Sequence, residues 1–304
     1  MANILIAGGS GLIGQRLSQR LLQEGHAVAW LSRRPHPSPR NYVWDYRREI
    51  LDPQAVEFAD YLIHLAGHNL SEGRWTAQRK KEILDSRVQS TLFLGRRWKE
   101  SGRPLKGYLA ASAVGFYGGV TTQKVFTEED PPGTDFLAEV CRAWETAIGQ
   151  LADLPTRVVV LRTGVALSPA GGMLPKVLLP TRLGLATAFG TGRQVLPWIH
   201  LDDLCGIYLQ ALQNPGMRGI YNAVAPQPVC GGEFMEILSR HLRRPFWLPN
   251  VPAFLLRAAL GEMSVLLLEG SRISSARIEQ SGFSFRFPDL PSALRDLIPA
   301  GGRT

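Results

Sequence analysis

Hydrophobic and polar residues follow two alternating periods through the first two hundred residues of this 304-residue chain. Short, almost wholly apolar runs predict strands that are buried on both faces of a sheet, and the segments between them have the 3.6-residue spacing of amphipathic helices. The strands predicted for the main sheet are residues 3–7, 26–31, 41–44, 60–66, 107–112, 157–161 and 219–224. Helices are predicted at residues 12–24, 76–101 and 138–151, and after a strand-like start within 198–213. Strands that alternate with helices in this way predict an α/β fold with a doubly wound parallel sheet.

The regular alternation of strands and helices ends after Gly164. Residues 168–196 are rich in Gly and Pro, and short helices and loops follow Pro226. We therefore predict a Rossmann-type nucleotide-binding domain over residues 1–225, with a lobe insertion at about 168–196. A smaller C-terminal substrate lobe of unknown function is predicted over residues 226–304. It should cover the carboxyl edge of the sheet, where ligands bind in open α/β sheets.

A glycine-rich loop joins the first predicted strand to the first predicted helix. Its Gly8, Gly11 and Gly14 have the spacing G-x-x-G-x-x-G. The first glycine allows the turn, the second lets the backbone approach a diphosphate, and the third lets the helix pack closely on the sheet. The N–H groups at the start of the helix, around Leu12 and Ile13, are then available to phosphates. A flexible turn is the alternative, but the strand–loop–helix context favours dinucleotide binding.

The end of the second predicted strand distinguishes NAD from NADP. An NAD site has a carboxylate there, which binds the ribose 2′-hydroxyl. This chain has Ser32, Arg33 and Arg34 instead. A serine hydroxyl and a guanidinium group bind a 2′-phosphate, whereas a carboxylate would repel it. The sequence therefore predicts NADP as the cofactor, with an exposed basic turn as the alternative.

Composition and charge restrict the class of protein. The chain has 34 Lys and Arg against 26 Asp and Glu, for a net charge of +8, but no basic run reaches five residues. No nucleic-acid-binding tail is therefore predicted. The apolar stretches are shorter than the roughly 20 residues that cross a bilayer, and the N-terminus lacks a signal peptide. The 3 cysteines cannot form a disulfide framework, and no His, Cys or carboxylate spacing predicts a metal site. We expect a cytoplasmic protein without a nucleic-acid or membrane partner.

With these motifs, the chain resembles the extended short-chain dehydrogenase/reductase superfamily. It is most similar to an atypical branch of NAD(P)-dependent epimerase/dehydratase-like "epimerase family" proteins with a C-terminal domain of unknown function. The resemblance runs nearly end to end, and its further motifs are Leu65-Ala66-Gly67, Arg74-Trp75, Lys81-Glu82, Ser86-Arg87, Ser112 to Gly118, Trp144-Glu145, Arg162-Thr163-Gly164, Trp198 to Leu204, Asn222 to Pro226 and Leu267 to Gly270. The cofactor contacts that the resemblance implies are Ser32, Arg33, Leu65, Ala66, Glu82, Arg87 and Ala166. Substrates of such relatives are generally unknown.

The predicted positions of some of these residues in the fold support the cofactor contacts that the resemblance implies. Leu65 and Ala66 end a predicted strand at the carboxyl edge of the sheet, where a small residue and backbone can flank the adenosine side of the cofactor. Glu82 and Arg87 lie five residues apart on one predicted helix, so they do not quite share a face. Ordinary surface charges are the alternative for this pair.

The acid–base pair of the superfamily is missing. Ordinary members use a Tyr-x-x-x-Lys pair, in which the lysine lowers the pKa of the tyrosine so that the phenol exchanges a proton with the substrate. Aligned on Trp144-Glu145, this chain has Leu137 (or Phe136) in place of the tyrosine and Cys141 (or Val140) in place of the lysine. Neither replacement can do that acid–base work.

Two catalytic candidates are left. Ser112, at the end of the fifth predicted strand, would orient a substrate oxygen. Tyr117 would donate a proton, provided that a cation such as Arg162 or Arg142 lowered its pKa. The alternative to catalysis is a structural role for both residues: Ser112 would only end the strand, and Tyr117 would only pack in an aromatic turn.

Two functions follow from this pattern. The first is an NADP-dependent oxidoreductase or epimerase-like enzyme that acts on a small polar substrate. The second is a catalytically inactive NADP-binding sensor or interaction protein, which the missing Tyr/Lys pair favours. Lys176, Arg182 and Arg193 are candidate contacts for an anionic substrate, with solvated loop charges as an equal alternative. Because superfamily members often form dimers through helices that flank the sheet, a homodimer is one possible oligomeric state.

Overall fold

The structure is a computed structural model that describes residues 1–34, 40–153 and 156–299. The strands are β1 (Asn3–Ala7), β2 (Ala27–Ser32), β3 (Arg40–Asp45), β4 (Ile50–Leu51), β5 (Tyr61–His64), β6 (Gly107–Ala113), β7 (Val125–Phe126), β8 (Val158–Thr163), β9 (Val165–Leu167), β10 (Val195–Leu196), β11 (Trp198–His200), β12 (Gly219–Ala223), β13 (Val229–Cys230) and β14 (Arg272–Ile273). The helices are α1 (Leu12–Gln23), α2 (Pro53–Phe58), α3 (Ala77–Ser101), α4 (Phe136–Gly149), α5 (Leu174–Arg182), α6 (Leu201–Gln213), α7 (Gly231–His241), α8 (Ala253–Leu260), α9 (Val265–Leu268), α10 (Ala276–Gln280) and α11 (Leu290–Leu297). Short 3₁₀ turns occupy Val114–Tyr117, Gln150–Asp153 and Gly261–Ser264.

The central sheet has the strand order β12–β8–β6–β5–β1–β2–β3–β4. All neighbouring strands are parallel except β3 and β4, which are antiparallel. The order reverses between β1 and β5, and a crevice at such a point is where ligands bind in doubly wound sheets. The predicted Rossmann-type fold and its seven parallel strands are therefore confirmed. The two-residue β4 was not predicted, because so short an edge strand has no period of its own.

Apolar side chains cover both faces of the sheet. On one face, α1 and α6 contribute Leu17 and Tyr208, both fully buried. On the other, α3 and α4 contribute Trp98 and Trp144, each at most 5% exposed. The start of each long helix on this second face is fixed locally: the side chain of Thr76 caps α3 and that of Asp135 caps α4. These helices hold the carboxyl ends of β5 and β6 in place.

The C-terminal part of the chain packs in two places. A separate apolar cluster joins α5, α7 and α11, with Phe234 and Leu294 at its centre. The chain then returns to the Rossmann core. There β14 pairs with β7 in a separate two-stranded sheet, and Ile278 of α10 is fully buried beside α6. The segment after residue 226 is thus partly a lobe and partly a cover of the Rossmann core. The domain boundary at 225/226 stays a prediction.

In the part of the chain that the structure describes, no helix is both long and apolar enough to cross a bilayer.

Candidate functional site

The glycine loop after β1 is as tight as the sequence predicts. Gly8 has φ +87°, and a Cβ there would lie 2.8 Å from the backbone nitrogen of Ala66 and 2.8 Å from the carbonyl carbon of Leu65. A Cβ at Gly14 would lie 2.4 Å from the carbonyl oxygen of Gly8. Both positions therefore require glycine, since such contacts involve rigid backbone. The loop and the end of β5 are in direct backbone contact, as a Rossmann crevice needs.

The first turn of α1 begins at this loop without a capping side chain. Gly11 is the N-cap residue and has extended backbone, with no side chain to accept from the N–H groups of the first turn. Its own N–H donates to the carbonyl of Gly8 at 3.1 Å. An uncapped helix start carries free donors and a partial positive charge. Leu12 and Ile13 form this turn, and Ile13 also lines the cavity described below.

The end of β2 forms a small polar turn. The Ser32 hydroxyl donates to the carbonyl of Arg34, and the Asn41 side chain donates to both Ser32 Oγ (2.6 Å) and that carbonyl (3.2 Å). Arg33 and Arg34 are exposed at this turn. The contact of Asn41 with Ser32 was not predicted. Asn41 lies on β3, and only the parallel pairing of β2 with β3 brings the two side chains together.

Charged side chains from three elements surround His68, which follows β5. The Arg79 guanidinium lies 3.3 Å from its Nδ1 and donates at 3.3 Å to the Glu82 carboxylate. Burial lowers the pKa of His68, and the positive charges of Arg79, Arg47 and Arg33 lower it further. Glu82 therefore belongs to a cluster at the β2–β3 side of the crevice.

Arg87, one turn further along α3, faces a different part of the crevice. Its guanidinium lies next to Gly67, where a Cβ would be 3.1 Å from Cζ, and over the ring of Trp144 at 5.3 Å. It donates to the carbonyl of Ile83 at 3.1 Å, and it has no carboxylate partner in the described part of the chain. Burial lowers the pKa of Arg87 to about 10, so the group is still a cation at neutral pH.

A cavity of about 410 Å³ runs from this crevice to the C-terminal lobe. At the sheet it is lined by Ile13, Leu65, Arg87 and Ser112. The insertion, α7 and the segment around α9 close the far end, and the residues they contribute are Met173, Val177, Phe189, Gln194, Val195, Leu196, Pro197, Gly231, Phe234, Met235, Val265, Leu266, Leu267, Glu269, Gly270 and Ser271. The sheet edge and the lobe thus line one continuous cavity.

The positions of the missing acid–base pair face this cavity. Leu137 and Cys141, one turn apart on α4, both line it, and so does Val140. Phe136 instead packs against Trp75, with ring centroids 5.1 Å apart. Burial raises the pKa of the Cys141 thiol to about 12, so it is neutral at physiological pH. In this structure, neither of the two aligned positions provides an acid or a base.

Ser112 is held by a buried ion pair. Its hydroxyl donates to Glu145 Oε1 at 2.6 Å. Arg162 holds the same carboxylate with two hydrogen bonds, Nε to Oε1 at 2.9 Å and Nη2 to Oε2 at 2.8 Å. The Arg162 guanidinium is stacked on the ring of Phe116, 3.4 Å from its centroid. Such a two-pronged pair fixes the carboxylate geometry, and with it the rotamer of Ser112.

Tyr117 is not among the residues that line the cavity, so its role as a proton donor to substrate gains no support from the structure and stays a prediction. It is 1% exposed, and its hydroxyl donates to Asn222 Oδ1 at 2.7 Å and accepts from Arg162 Nη1 at 2.9 Å. Burial raises its pKa to about 12, although the positive charge of Arg162 opposes this. The predicted cation is present, but the 3₁₀ turn that follows β6 places the phenol in a buried cluster with Phe116 and Cys141.

Comparison with known proteins places this geometry in a family. The model of the NAD dependent epimerase/dehydratase family matches residues 4–223. The chain belongs to this family. A second model, a domain of unknown function (DUF1731), matches residues 251–297, within the predicted lobe. The chain is 36% identical over 299 residues to the mouse epimerase family protein SDR39U1, covering 97% of this chain and 99% of the relative. It is 37% identical over 300 residues to Bacillus subtilis YfhF, with 97% and 98% covered.

Two solved structures show the same fold at similar identity. The crystal structure of human epimerase family protein SDR39U1 (isoform 2) with NADPH superposes with a TM-score of 0.87 at 33% identity, over 97% of this chain and 98% of the human one. The nucleoside-diphosphate sugar epimerase from Corynebacterium glutamicum superposes with a TM-score of 0.79 at 34% identity, over 98% of this chain and 58% of that one.

Within this epimerase/dehydratase fold, the insertion approaches the glycine loop more closely than the sequence suggests. A Cβ at Gly171 would lie 3.4 Å from Leu12 Cδ1, and one at Gly172 would lie 3.4 Å from the carbonyl oxygen of Ala166. Ala166 is therefore brought next to Leu12, although 154 positions separate them in the sequence. Cofactor contact by Ala166 stays a prediction of the family resemblance.

Several residues of this site were not predicted. Gly9 packs on the ring of Trp30, where a Cβ would lie 2.2 Å from Cδ1. Gln194 and Glu269 line the cavity from the insertion and the lobe. Periodicity could not reveal them, because they come from irregular segments. The Trp144-Glu145 motif could have suggested a role for Glu145.

The three cations proposed as anion contacts, Lys176, Arg182 and Arg193, do not line the cavity. Lys176 instead donates to the Ser71 hydroxyl at 3.2 Å. His200 is 2% exposed and stacked on Phe287, as expected for a packed histidine. Among the described residues, no group of three or more His, Cys, Asp or Glu could hold a metal ion.

Proposed function

We propose that this protein binds NADP(H) and catalyses oxidation or reduction of a small molecule in the cavity. The observation that carries the proposal is that a single cavity joins the first turn of α1, at Ile13, to the hydroxyl of Ser112. The predicted dinucleotide site and the predicted reaction centre are thus parts of one space. When bound, NADP(H) supplies hydride exchange at C4 of its nicotinamide ring.

The residues present fit such a cofactor. Gly8 and Gly14 leave a cradle that any Cβ would fill, and the uncapped start of α1 offers donors to a diphosphate. Arg87 is a largely buried cation without a carboxylate partner among the described residues, which favours an anion beside it. Ser32, Arg33 and Arg34 would bind the 2′-phosphate that distinguishes NADP from NAD. That the related human protein crystallised with NADPH supports this choice.

Ser112 and Glu145 provide a proton route that does not need the missing Tyr/Lys pair. Because the Ser112 proton is donated to Glu145, the lone pairs of Ser112 Oγ are free to accept from a substrate hydroxyl. In oxidation, the substrate proton would pass to Ser112 Oγ while the Ser112 proton passes to Glu145. Reduction would run in the reverse direction. Ser112 is then the catalytic residue and Glu145 the group that receives its proton.

A catalytically inactive NADP-binding protein is the second candidate. The observation in its favour is that Leu137 and Cys141 face the cavity where the family has its acid–base pair. The two candidates share the cofactor and differ in turnover. Cytoplasmic location, a small-molecule partner and the absence of a nucleic-acid partner stay predictions in both cases.

The first test measures cofactor choice by titration of NADPH and NADH at physiological salt. We expect NADPH to bind more tightly, and Arg33→Ala combined with Arg34→Ala to weaken NADPH by at least roughly 10-fold, since a single charge-assisted hydrogen bond contributes about 1.5–3 kcal/mol. NADH affinity should not change. Arg142→Ala, an exposed arginine on α4, is the matched control. Equal affinity for both cofactors in the wild type would contradict the assignment.

The second test is a metabolite screen that follows NADPH absorbance. Turnover of any small molecule supports the enzyme. Tight NADPH binding with no turnover across the screen would favour the inactive protein instead.

A further inference from the structure

The lining of the cavity is almost entirely uncharged. Of its residues, only Arg87 and Glu269 carry charge, and Arg87 lies beside Gly67 at the cofactor end. The lobe end is walled by Phe189, Phe234 and Met235, and by other apolar side chains of α5 and α9. Resting on the proposed function above, we propose that the substrate is an uncharged, largely apolar molecule that carries a hydroxyl or carbonyl group. This differs from the polar substrate that the sequence predicts.

The polar groups in the lining are mostly committed to protein partners. The Gln194 Nε2 group donates to the carbonyls of Phe189 (3.1 Å) and Leu267 (2.7 Å), and its Oε1, which can only accept, has no hydrogen-bond partner among the described residues. The Ser271 hydroxyl donates to the carbonyl of Val120 at 2.7 Å, and Glu269 Oε2 accepts from Thr121 at 2.6 Å. Gln194 thus ties the insertion to the lobe, and Ser271 and Glu269 tie the lobe to the loop around Val120. Few donors are left for a polar ligand. A polar substrate that lost its water here would not recover those hydrogen bonds.

A nucleotide sugar does not match this space. Its diphosphate would need cations at the lobe end, and the three candidates from the insertion, Lys176, Arg182 and Arg193, lie outside the cavity. Burying two negative charges against Phe234 and Met235 would be strongly unfavourable. The Ser112 hydroxyl, by contrast, offers one polar contact at the sheet end for a hydroxyl or carbonyl oxygen. Methionines at positions 173 and 235 suit an apolar ligand of variable shape, because the side chain is flexible and polarizable.

The test uses straight-chain primary alcohols from butanol to decanol, with UDP-glucose as the comparison ligand. Each is titrated by calorimetry into protein saturated with NADP⁺ and into protein without it. We expect affinity to rise by up to about fourfold for each added CH₂ until the chain fills the cavity. UDP-glucose should not bind. The alcohols serve as probes of the cavity wall, whether or not they turn over.

A pair of matched variants locates the effect. Val177→Thr places a hydroxyl in the cavity wall with little change of volume, whereas Val56→Thr makes the same change in α2, away from the cavity; each valine is 8% exposed. Val177→Thr should weaken decanol binding several-fold and leave the NADPH dissociation constant unchanged. Val56→Thr should change neither.

Two outcomes would overturn the substrate class: UDP-glucose binding more tightly than any alcohol, or alcohol binding that does not depend on chain length, including no binding at all. Failure of the proposed function looks different. It would appear as absent NADPH binding in a separate fluorescence titration, while the ranking of alcohols against UDP-glucose could still be measured in the cofactor-free protein.

Discussion

The hydroxyl of Ser112, a residue that lines the cavity, donates a 2.6 Å hydrogen bond to Glu145, which does not line it. The carboxylate is in turn held by Arg162, which is 2% exposed. In the proposed function, Ser112 of β6 and Glu145 of α4 take over the proton transfer that the superfamily assigns to its Tyr/Lys pair. The ion pair also explains why Ser112 has one orientation before any ligand binds.

Ser112→Ala tests this relationship directly. The change removes the only hydroxyl of the Ser112–Glu145 route and leaves Glu145 paired with Arg162. We expect kcat/KM, for the substrate identified by the NADPH-linked screen, to fall by at least about 100-fold, which is the lower end of general acid–base contributions. NADPH affinity should stay within about twofold of wild type by fluorescence titration, because the phosphate-binding loop is untouched.

Ser239→Ala is the control for that experiment. Ser239 is also a buried serine, 1% exposed, but it lies on α7 outside the cavity. Its loss should leave kcat/KM unchanged. If Ser112→Ala kept wild-type turnover, Ser112 would have no part in the chemistry.

Tyr117→Phe should affect stability rather than turnover. Removal of the phenol oxygen leaves Asn222 Oδ1 and one Arg162 N–H without their partner in the core. We expect the free energy of unfolding, measured with urea, to fall by about 1–3 kcal/mol. Because the hydroxyl does not reach the cavity, kcat/KM should change by less than about threefold.

Tyr208→Phe makes the same chemical change where no partner is lost. Tyr208 is fully buried on α6, and its hydroxyl has no hydrogen-bond partner among the described residues. We expect little destabilisation or a slight gain. A large loss of activity in Tyr117→Phe, at unchanged stability, would restore the proton-donor hypothesis.

Much of the fold could be predicted from sequence because its parallel strands are unusually explicit. Runs such as residues 4–7 and 158–161 are wholly apolar, so they lack the polar positions that would confuse them with amphipathic helices. The glycine loop could also be predicted. Because the backbone contact between Gly8 and Ala66 leaves no room for a side chain, the sequence must have glycine there, and the glycine spacing is visible. What the sequence could not supply was the way in which the C-terminal segment divides between lobe and sheet.

The site was harder to predict than the fold, because a sequence does not show which way each side chain faces. Sequence order placed Ser112 at the end of β6 and Tyr117 shortly after it. Ser112 lines the cavity, whereas the 3₁₀ turn at Val114–Tyr117 buries the Tyr117 side chain in the core. The apolar character of the cavity also escaped prediction. Its walls come from segments far apart in sequence, and the nearby arginines, which were visible, face elsewhere.

Arg87→Met tests whether an anion belongs beside the buried guanidinium. Burial already lowers the pKa of Arg87, which shows that the charge is desolvated without a compensating carboxylate. We expect the ligand-free variant to be more stable than wild type by about 1–2 kcal/mol, because an apolar chain of similar length avoids that desolvation. NADPH should bind at least about tenfold more weakly.

The two effects have opposite signs, so one measurement of melting temperature with and without NADPH separates them. Arg142→Met, at an exposed position on α4, should change neither temperature appreciably. Loss of stability in ligand-free Arg87→Met would instead indicate that the hydrogen bond to the Ile83 carbonyl and the contact with Trp144 outweigh desolvation.

His64, the last residue of β5, should make the fold sensitive to acid. It is fully buried, with Nδ1 2.7 Å from the Tyr108 hydroxyl and Nε2 3.1 Å from Ser90 Oγ. Burial lowers its pKa from 6.5 to about 3. Between these values the unfolded chain binds a proton that the folded protein does not, so stability present at pH 7 is lost as the pH falls below about 6.5.

From pH 7 to pH 5 this difference in proton binding costs about 2 kcal/mol. Urea unfolding of wild type and His64→Gln at both pH values isolates the contribution, since other histidines act equally in the two proteins. We expect His64→Gln to lose about 2 kcal/mol less than wild type on acidification, even if it is less stable at pH 7. Equal pH dependence in the two proteins would show that the imidazole does not carry the acid sensitivity.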